Sequence, residues 1–110
     1  MKIRKKKKFF IAPFTIPAVI HAIKYAGGEI EFIDIDKQTG LINEKKLESK
    51  IDNESAGVII THLYTNLNNI QKFISKFKNR IIIIEDAAIN FGAKINGEFI
   101  GTLAHYGFYS

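Results

Sequence analysis

Glu85 and Asp86 close a run of four isoleucines, Ile81 to Ile84, and lead directly into Ala87 and Ala88. A β-branched run that is apolar on both faces reads as a strand of a parallel sheet, covered by helices above and below. Side chains alternate along a strand, so Glu85 and Asp86 point to opposite faces and only one of them need enter a given crevice. Open α/β sheets bind ligands outside the carboxyl ends of their strands, where both carboxylates fall. The small Ala87 and Ala88 would let a flat group approach the backbone. Two readings of Asp86 stay open from spacing: a ligand-facing carboxylate, or an N-cap starting the next helix. His62 emerges at the end of a second apolar run, Ala56 to Thr61, followed by Leu63 and Tyr64. It is a candidate acid, base or phosphate partner, against the plainer reading of a polar residue hydrogen-bonded at a strand end.

The elements that must position these groups follow from periodicity. Lys8 to Ala12 reads as a strand ended by Pro13. Pro17 suits the first turn of a helix, with Thr15 as a candidate N-cap. That helix carries Val19, Ile20, Ile23 and Tyr25 and stops at Gly27-Gly28. Glu29 to Ile35 reads as a second strand and Asp36 to Gly40 as a turn. Asn43 caps a short helix bearing Leu47 and Ile51, with Glu44 in its first turn, where the helix dipole favours an acid. Leu67, Ile70, Phe73, Ile74 and Phe77 recur at helical spacing and deliver the chain to the Ile81 strand. Asn96-Gly97, between Ala93-Lys94-Ile95 and Glu98-Phe99-Ile100, is a two-residue hairpin signal. Tyr106 to Ser110 reads as a last strand. This alternation predicts an α/β fold with a mainly parallel sheet, flanking helices and right-handed crossovers. Pro13, His62 and Asp86 should gather at one sheet edge.

Composition narrows the function classes. The 110 residues allow one domain with a modest core, and 46% hydrophobic content suits a globular chain. There is no cysteine, hence no disulfide frame and no thiolate-bound metal; a reducing, cytoplasmic setting is compatible with this. The net charge of +5 comes largely from Lys2, Arg4 and Lys5 to Lys8, and the remaining charges nearly balance. Such a run reads as a solvated flank rather than a nucleic-acid surface. The apolar stretch after Met1 to Lys8 is broken by Pro13 and Pro17, unlike a signal peptide, and no segment has the length of a membrane span. Neither nucleic acid nor membrane is expected as a partner.

The string IIIIEDAAINFGAKINGEFIGTLAHYGFYS resembles the central segment of the DegT/DnrJ/EryC1/StrS family of pyridoxal-phosphate-dependent sugar aminotransferases. The family pattern there is an apolar strand, E-D-A-A-Q/H, a glycine, a short hairpin, G-x-x-G-D-x-G, then F-S-F and a lysine. PFTIPAVIHAIKYAGGEIEFIDID, then Thr39-Gly40, then His62 to Tyr64, fit the same family in the same order. The resemblance covers nearly the whole chain from about Ile11. It implies a single incomplete domain over 1–110, part of the large domain of the aspartate-aminotransferase type (pyridoxal-phosphate fold type I), with 1–8 a basic N-terminal run.

By this resemblance Asp86 holds the coenzyme's pyridinium nitrogen protonated, Ala88 lies against one ring face, and Ser110 is the hydroxyl residue on the phosphate. Ile89 and Ile16 occupy two further cofactor-binding positions: the first is usually a Gln or His bonded to the ring hydroxyl, the second a stacking aromatic. Thr65 replaces the Gly after H-L-Y, and His105 the Asp of G-D-x-G. The Schiff-base lysine follows the serine by a few residues, so its place lies beyond Ser110, and the family's N-terminal phosphate loop has no counterpart here. The implied function is a fragment of an aminotransferase that moves an amino group, from glutamate as the expected donor, to a nucleotide-linked keto-sugar in cell-surface polysaccharide or amino-sugar synthesis. The full-length parent is expected to be a homodimer. The alternatives are a dehydratase relative, in which His replaces the lysine, and a non-catalytic remnant or pseudo-enzyme that keeps only the α/β core.

Overall fold

A computed structural model of the protein describes residues 6–63 and 69–110. Five strands form one parallel sheet in the order β2-β1-β3-β4-β7, where β1 is Lys8–Ile11, β2 Glu29–Phe32, β3 Ser55–Thr61, β4 Ile82–Asp86 and β7 Tyr106–Phe108. Isoleucine, valine and phenylalanine fill the inner strands because branched and aromatic side chains pack well on a pleated surface. Helix α1 (Pro17–Tyr25) joins β1 to β2, α2 (Glu44–Lys50) precedes β3, and α3 (Ile70–Phe77) joins β3 to β4. The short strands β5 (Lys94–Ile95) and β6 (Glu98–Phe99) form an antiparallel hairpin before β7.

The chain steps from β1 to β2 in one direction along the sheet and from β3 to β4 and β7 in the other. Right-handed crossovers leading in opposite directions must lie on opposite faces. They do: Val19 and Ile23 of α1 pack on Ile11 and Ile59, whereas Leu47, Ile70, Phe73, Ile74 and Phe77 of α2 and α3 pack on Phe10, Val58, Ile60 and Ile83. The order therefore reverses between β1 and β3, which makes their carboxyl ends a topological switch point.

The second face is the drier one. Phe10, Leu47, Ile70, Phe73, Phe77 and Ile83 are fully buried there, and each such side chain contributes about 1.5–3 kcal/mol of transfer free energy. The α1 face is only part covered. Ile82 is 44% exposed and Phe108 41%, while Ile84 is half-buried against the α1 cluster. Helices thus flank the sheet on both faces, as expected, with the α1 side of β4 covered only in part.

Local expectations fared unevenly. Pro17 does open α1, but the N-cap is Ile16 and makes no side-chain cap bond. Thr15 instead places its hydroxyl 2.8 Å from that of Thr61, tying the end of β1 to the end of β3. Tyr25 lies on the solvent side of α1. Strand β1 ends at Ile11 and β2 at Phe32; Ile35 makes only an isolated antiparallel bridge with Ile42. Asn43 caps α2 by accepting the Lys46 N–H at 3.0 Å, as predicted. The hairpin turn is as read, with Asn96 at φ 48° and Gly97 at φ 83°, the positive values a type I′ turn requires. The last strand stops at Phe108, short of Ser110. Lys8, at the end of the basic run, is part of β1 and pairs with Asp52 at 2.6 Å and Glu31 at 3.7 Å. Lys2, Arg4, Lys5, Tyr64, Thr65 and Leu67 lie outside the described residues.

Candidate functional site

Parallel register sets the site. Thr61 is opposite Asp86, and Asp86 is opposite Phe108, so the ends of β3, β4 and β7 lie level. The His62 N–H donates to the Asp86 carbonyl at 3.0 Å, and the Ala87 N–H donates to the Phe108 carbonyl at 3.0 Å. Pro13, which follows β1, His62 and Asp86 therefore share one sheet edge, as expected.

Asp86 is 2% exposed. Its Oδ1 accepts the Ala88 N–H at 3.2 Å in a local turn, and its Oδ2 is buried with no hydrogen-bond partner among the described residues. Residues 87–93 are turns and irregular backbone, so no helix begins at Asp86 and the N-cap reading has nothing to cap. Burying an ionised carboxylate without partners is costly, and this oxygen, like His62 Nδ1 and Asn90 Oδ1, is a buried polar atom that calls for an explanation. Around it Ile16, Thr61, His62, Leu63, Ala88 and Ile89 line a niche of about 40 Å³ at the switch point. Ile16 and Ile89 are exposed at its mouth, at 41% and 59%. Four of the five residues expected at the coenzyme, Ile16, Asp86, Ala88 and Ile89, are thus brought together. Ser110 does not line this niche; it lies exposed two residues beyond Phe108, on the neighbouring strand end.

Glu85 faces the other way, as strand alternation requires, and it is the residue that sequence reasoning passed over. Its carboxylate is fully buried and accepts four hydrogen bonds. Oε2 takes the His62 Nε2–H at 3.1 Å and the Gly101 N–H at 2.9 Å; Oε1 takes the Leu103 N–H at 2.7 Å and the Ala104 N–H at 2.8 Å. Burial pushes this carboxyl up, but the bond from His62 and those from the Gly101 and Ala104 amides outweigh it and hold it below the usual carboxylate range. A carboxylate only accepts, so the proton of a neutral His62 ring sits on Nε2. His62 is accordingly a buried strand-end group bonded to Glu85, the plainer of its two readings. The signal for Glu85 was present: a glutamate inside an apolar strand needs several donors, and the turn-rich stretch after the hairpin is where they are.

His105 also acquires a role. Its Nδ1 accepts the Ile83 N–H at 3.0 Å and its own N–H donates to the Ile83 carbonyl at 3.2 Å, which seats the start of β7 against β4. No group of three or more histidine, cysteine or acidic residues able to hold a metal ion occurs among the described residues, and no helix of the described residues is long and apolar enough to cross a membrane.

An open parallel sheet with helices on both faces, and at its switch point a buried acceptor without a donor among the described residues, defines an α/β domain of the kind that binds ligands at its strand ends. The chain belongs to the DegT/DnrJ/EryC1/StrS aminotransferase family, which it matches over residues 1–110. It is 32% identical over 93 residues to the GDP-perosamine synthase of Escherichia coli, a match covering 84% of this chain and 26% of that protein. It is 30% identical over 112 residues to a UDP-4-amino-4,6-dideoxy-N-acetyl-beta-L-altrosamine transaminase of Campylobacter jejuni, covering 96% and 29% respectively. Its fold superposes on the E. coli GDP-4-keto-6-deoxy-D-mannose-3-dehydratase, solved with bound hydrated PLP, with a TM-score of 0.81 at 22% identity over 97% of this chain and 28% of that one. The fold is therefore that of part of a fold type I large domain. The chain spans between a quarter and a third of the length of these relatives.

Proposed function

We propose that this chain is the coenzyme-binding core of a PLP-dependent aminotransferase acting on nucleotide-linked keto-sugars, in a protein whose remaining parts supply the Schiff-base lysine and the sugar site. The observation that carries the reading is Asp86 Oδ2, buried and partnerless at the switch point. A protonated pyridine nitrogen is a single cationic N–H donor, the complement of one bare carboxylate oxygen. Ala88, small and half-buried beside it, leaves room for a flat ring, and Ile16 and Ile89 provide apolar walls. Bound there, the coenzyme supplies an electron sink for amino-group chemistry.

The chain's own residues would act by holding and orienting. Asp86 would keep a proton on the ring nitrogen, its carboxylate being buried and having no cation paired with it among the described residues. Thr15 and Thr61, joined through their hydroxyls, hold the two strand ends that flank the niche at a fixed separation. Ser110 would donate its hydroxyl to the phosphate from the neighbouring strand end. Ile89 contributes no hydrogen bond to the ring oxygen, which leaves that oxygen to water or to residues elsewhere in the protein. A sugar-nucleotide acceptor, a glutamate donor and a homodimeric assembly belong to the same reading for the whole protein.

The test is Asp86→Asn in the complete gene product, assayed for amino transfer to a nucleotide-linked 4-keto-sugar. Breaking a buried charge pair costs about 3–5 kcal/mol, and each ~1.4 kcal/mol is a factor of roughly ten in rate, so turnover should fall at least a hundred-fold. Near-normal turnover would leave Asp86 a turn residue only. Analysis of the product separates transfer of an amino group from loss of a hydroxyl, the dehydratase chemistry.

A further inference from the structure

Glu85 lies on the opposite face from Asp86, yet its four bonds all lead back to the site. Three of its donors, the amides of Gly101, Leu103 and Ala104, belong to the loop between the hairpin and β7. That loop is wedged against the end of the chain. Gly101 has φ +94°, and a Cβ built on it would meet the Tyr109 hydroxyl oxygen at 2.6 Å. A Cβ on Gly107 would come 1.8 Å from the Gly101 carbonyl oxygen. The Tyr109 hydroxyl donates to the Ile100 carbonyl. The fourth donor, His62, is bonded through its own N–H to the Asp86 carbonyl. One carboxylate thus grips both the backbone beside Asp86 and the loop on which Gly107 and Tyr109 rest, and Ser110 follows Tyr109 directly.

We propose that Glu85 is a positioning residue for the coenzyme's phosphate end: through the 101–104 loop its carboxylate sets where Ser110 stands relative to Asp86. The proposal rests on the coenzyme reading above. Its physical content is that three of the loop's amides have the Glu85 carboxylate as their acceptor, beside the Thr102 bonds to the Phe99 carbonyl and the packing of Leu103 and Ala104 on the core. Residues 101–104 form no regular strand or helix, and without Glu85 the three amides would be partly buried donors with no acceptor. The carboxylate is charged, so each bond is stronger than one to a neutral amide oxygen, and the loop is held to one geometry rather than a set of them.

The experiment compares the complete protein with its Glu85→Gln and Glu85→Asp variants, and with Ile74→Val as a core variant on α3 that leaves the Glu85 bonds in place. Glutamine keeps one acceptor oxygen but sets an NH2 against amide donors; aspartate keeps the charge but is one methylene too short. The readouts are coenzyme affinity and the phosphorus NMR line of bound pyridoxal phosphate, which senses the phosphate surroundings. Either Glu85 variant should lose roughly tenfold or more in affinity and move the line toward that of free coenzyme. Ile74→Val, though less stable, should leave the line in place. A folded Glu85 variant with wild-type affinity and an unmoved line overturns the proposal.

A second arm needs neither coenzyme nor variant. In the coenzyme-free wild type, amide-exchange protection at Phe108, which pairs with Asp86 across β4 and β7, should fall together with that at Gly101, Leu103 and Ala104 as acid protonates Glu85, the groups facing it being His62 and those three amides. Protection that persists at Phe108 after the loop amides have opened overturns the proposal as well. If the wild type binds no coenzyme, the functional reading fails, and the coupling of Glu85 to the chain end is decided by this exchange arm alone.

Discussion

Glu85 and Asp86 are adjacent on β4, both buried, and bonded in opposite ways: four donors converge on Glu85, whereas Asp86 keeps a buried oxygen with none among the described residues. Strand alternation sends the two to different faces, and the faces differ. Glu85 enters the side closed by α3 and the hairpin, where backbone amides surround it. Asp86 enters the side that α1 leaves part open, next to the niche. One carboxylate is spent on the fold; the other keeps an oxygen that has no donor among the described residues.

That contrast predicts opposite stability effects from parallel substitutions. Asp86→Asn keeps the acceptor for the Ala88 N–H and removes a poorly solvated charge, so the coenzyme-free protein should melt at the wild-type temperature or above it. Loss of coenzyme binding should accompany that unchanged melting point. A marked fall in melting temperature, read by circular dichroism, would count against Oδ2 being without a partner.

Glu85 makes stability depend on acid. Its folded-state pKa lies below that of the unfolded chain, so the unfolded state takes up the proton more readily. The stabilisation is fully present above the unfolded carboxylate value of about 4.3 and is lost as pH falls through the lower folded value. Urea midpoints measured from about pH 6 to pH 3 should drop more steeply for the wild type than for Glu85→Gln, which has no carboxylate to protonate at this site. Parallel curves would place the acid sensitivity elsewhere.

Gly107→Ala tests the crossing of the loop and β7. The methyl would fall 1.8 Å from a backbone carbonyl oxygen, and backbone cannot move aside as a flexible side chain can. The expected loss is about 3 kcal/mol or more, which for a chain of this size lowers the melting temperature by roughly 10 °C or more. Gly97→Ala, where nothing stands within 4 Å and only the positive φ is strained, should cost much less.

The 110-residue chain mixed with pyridoxal phosphate should give no stoichiometric, borohydride-trapped adduct at a single lysine. Among the described residues no lysine lines the niche; its walls are Ile16, Thr61, His62, Leu63, Ala88 and Ile89 around Asp86. Peptide mapping after reduction should find only scattered surface modification. A single dominant site would mean that one of these lysines reaches the ring.

The sequence by itself determined the element order, the parallel sheet and the edge to which Asp86 and His62 belong. These follow from local rules: β-branched runs make buried strands, helical spacing makes amphipathic helices, and strand-helix alternation forces parallel pairing with the strand ends level. The Asn96-Gly97 turn and the Asn43 cap were legible for the same reason, since each depends on residues within a few positions of one another. The resemblance of the E-D-A-A stretch and of the earlier PFTIP segment to the family pointed to Ile16, Asp86, Ala88 and Ile89, which the fold does bring together. Only tertiary structure decided between the readings of Asp86, because a cap needs a helix after it and residues 87–93 form turns instead. It also decided that Thr15 bonds to Thr61 rather than capping α1, and that Ile82 is left part exposed. Glu85 shows the reason most plainly. Its partners lie 16 to 23 residues away in the chain, on elements whose approach is set by packing on the sheet, and no local pattern encodes a contact of that range.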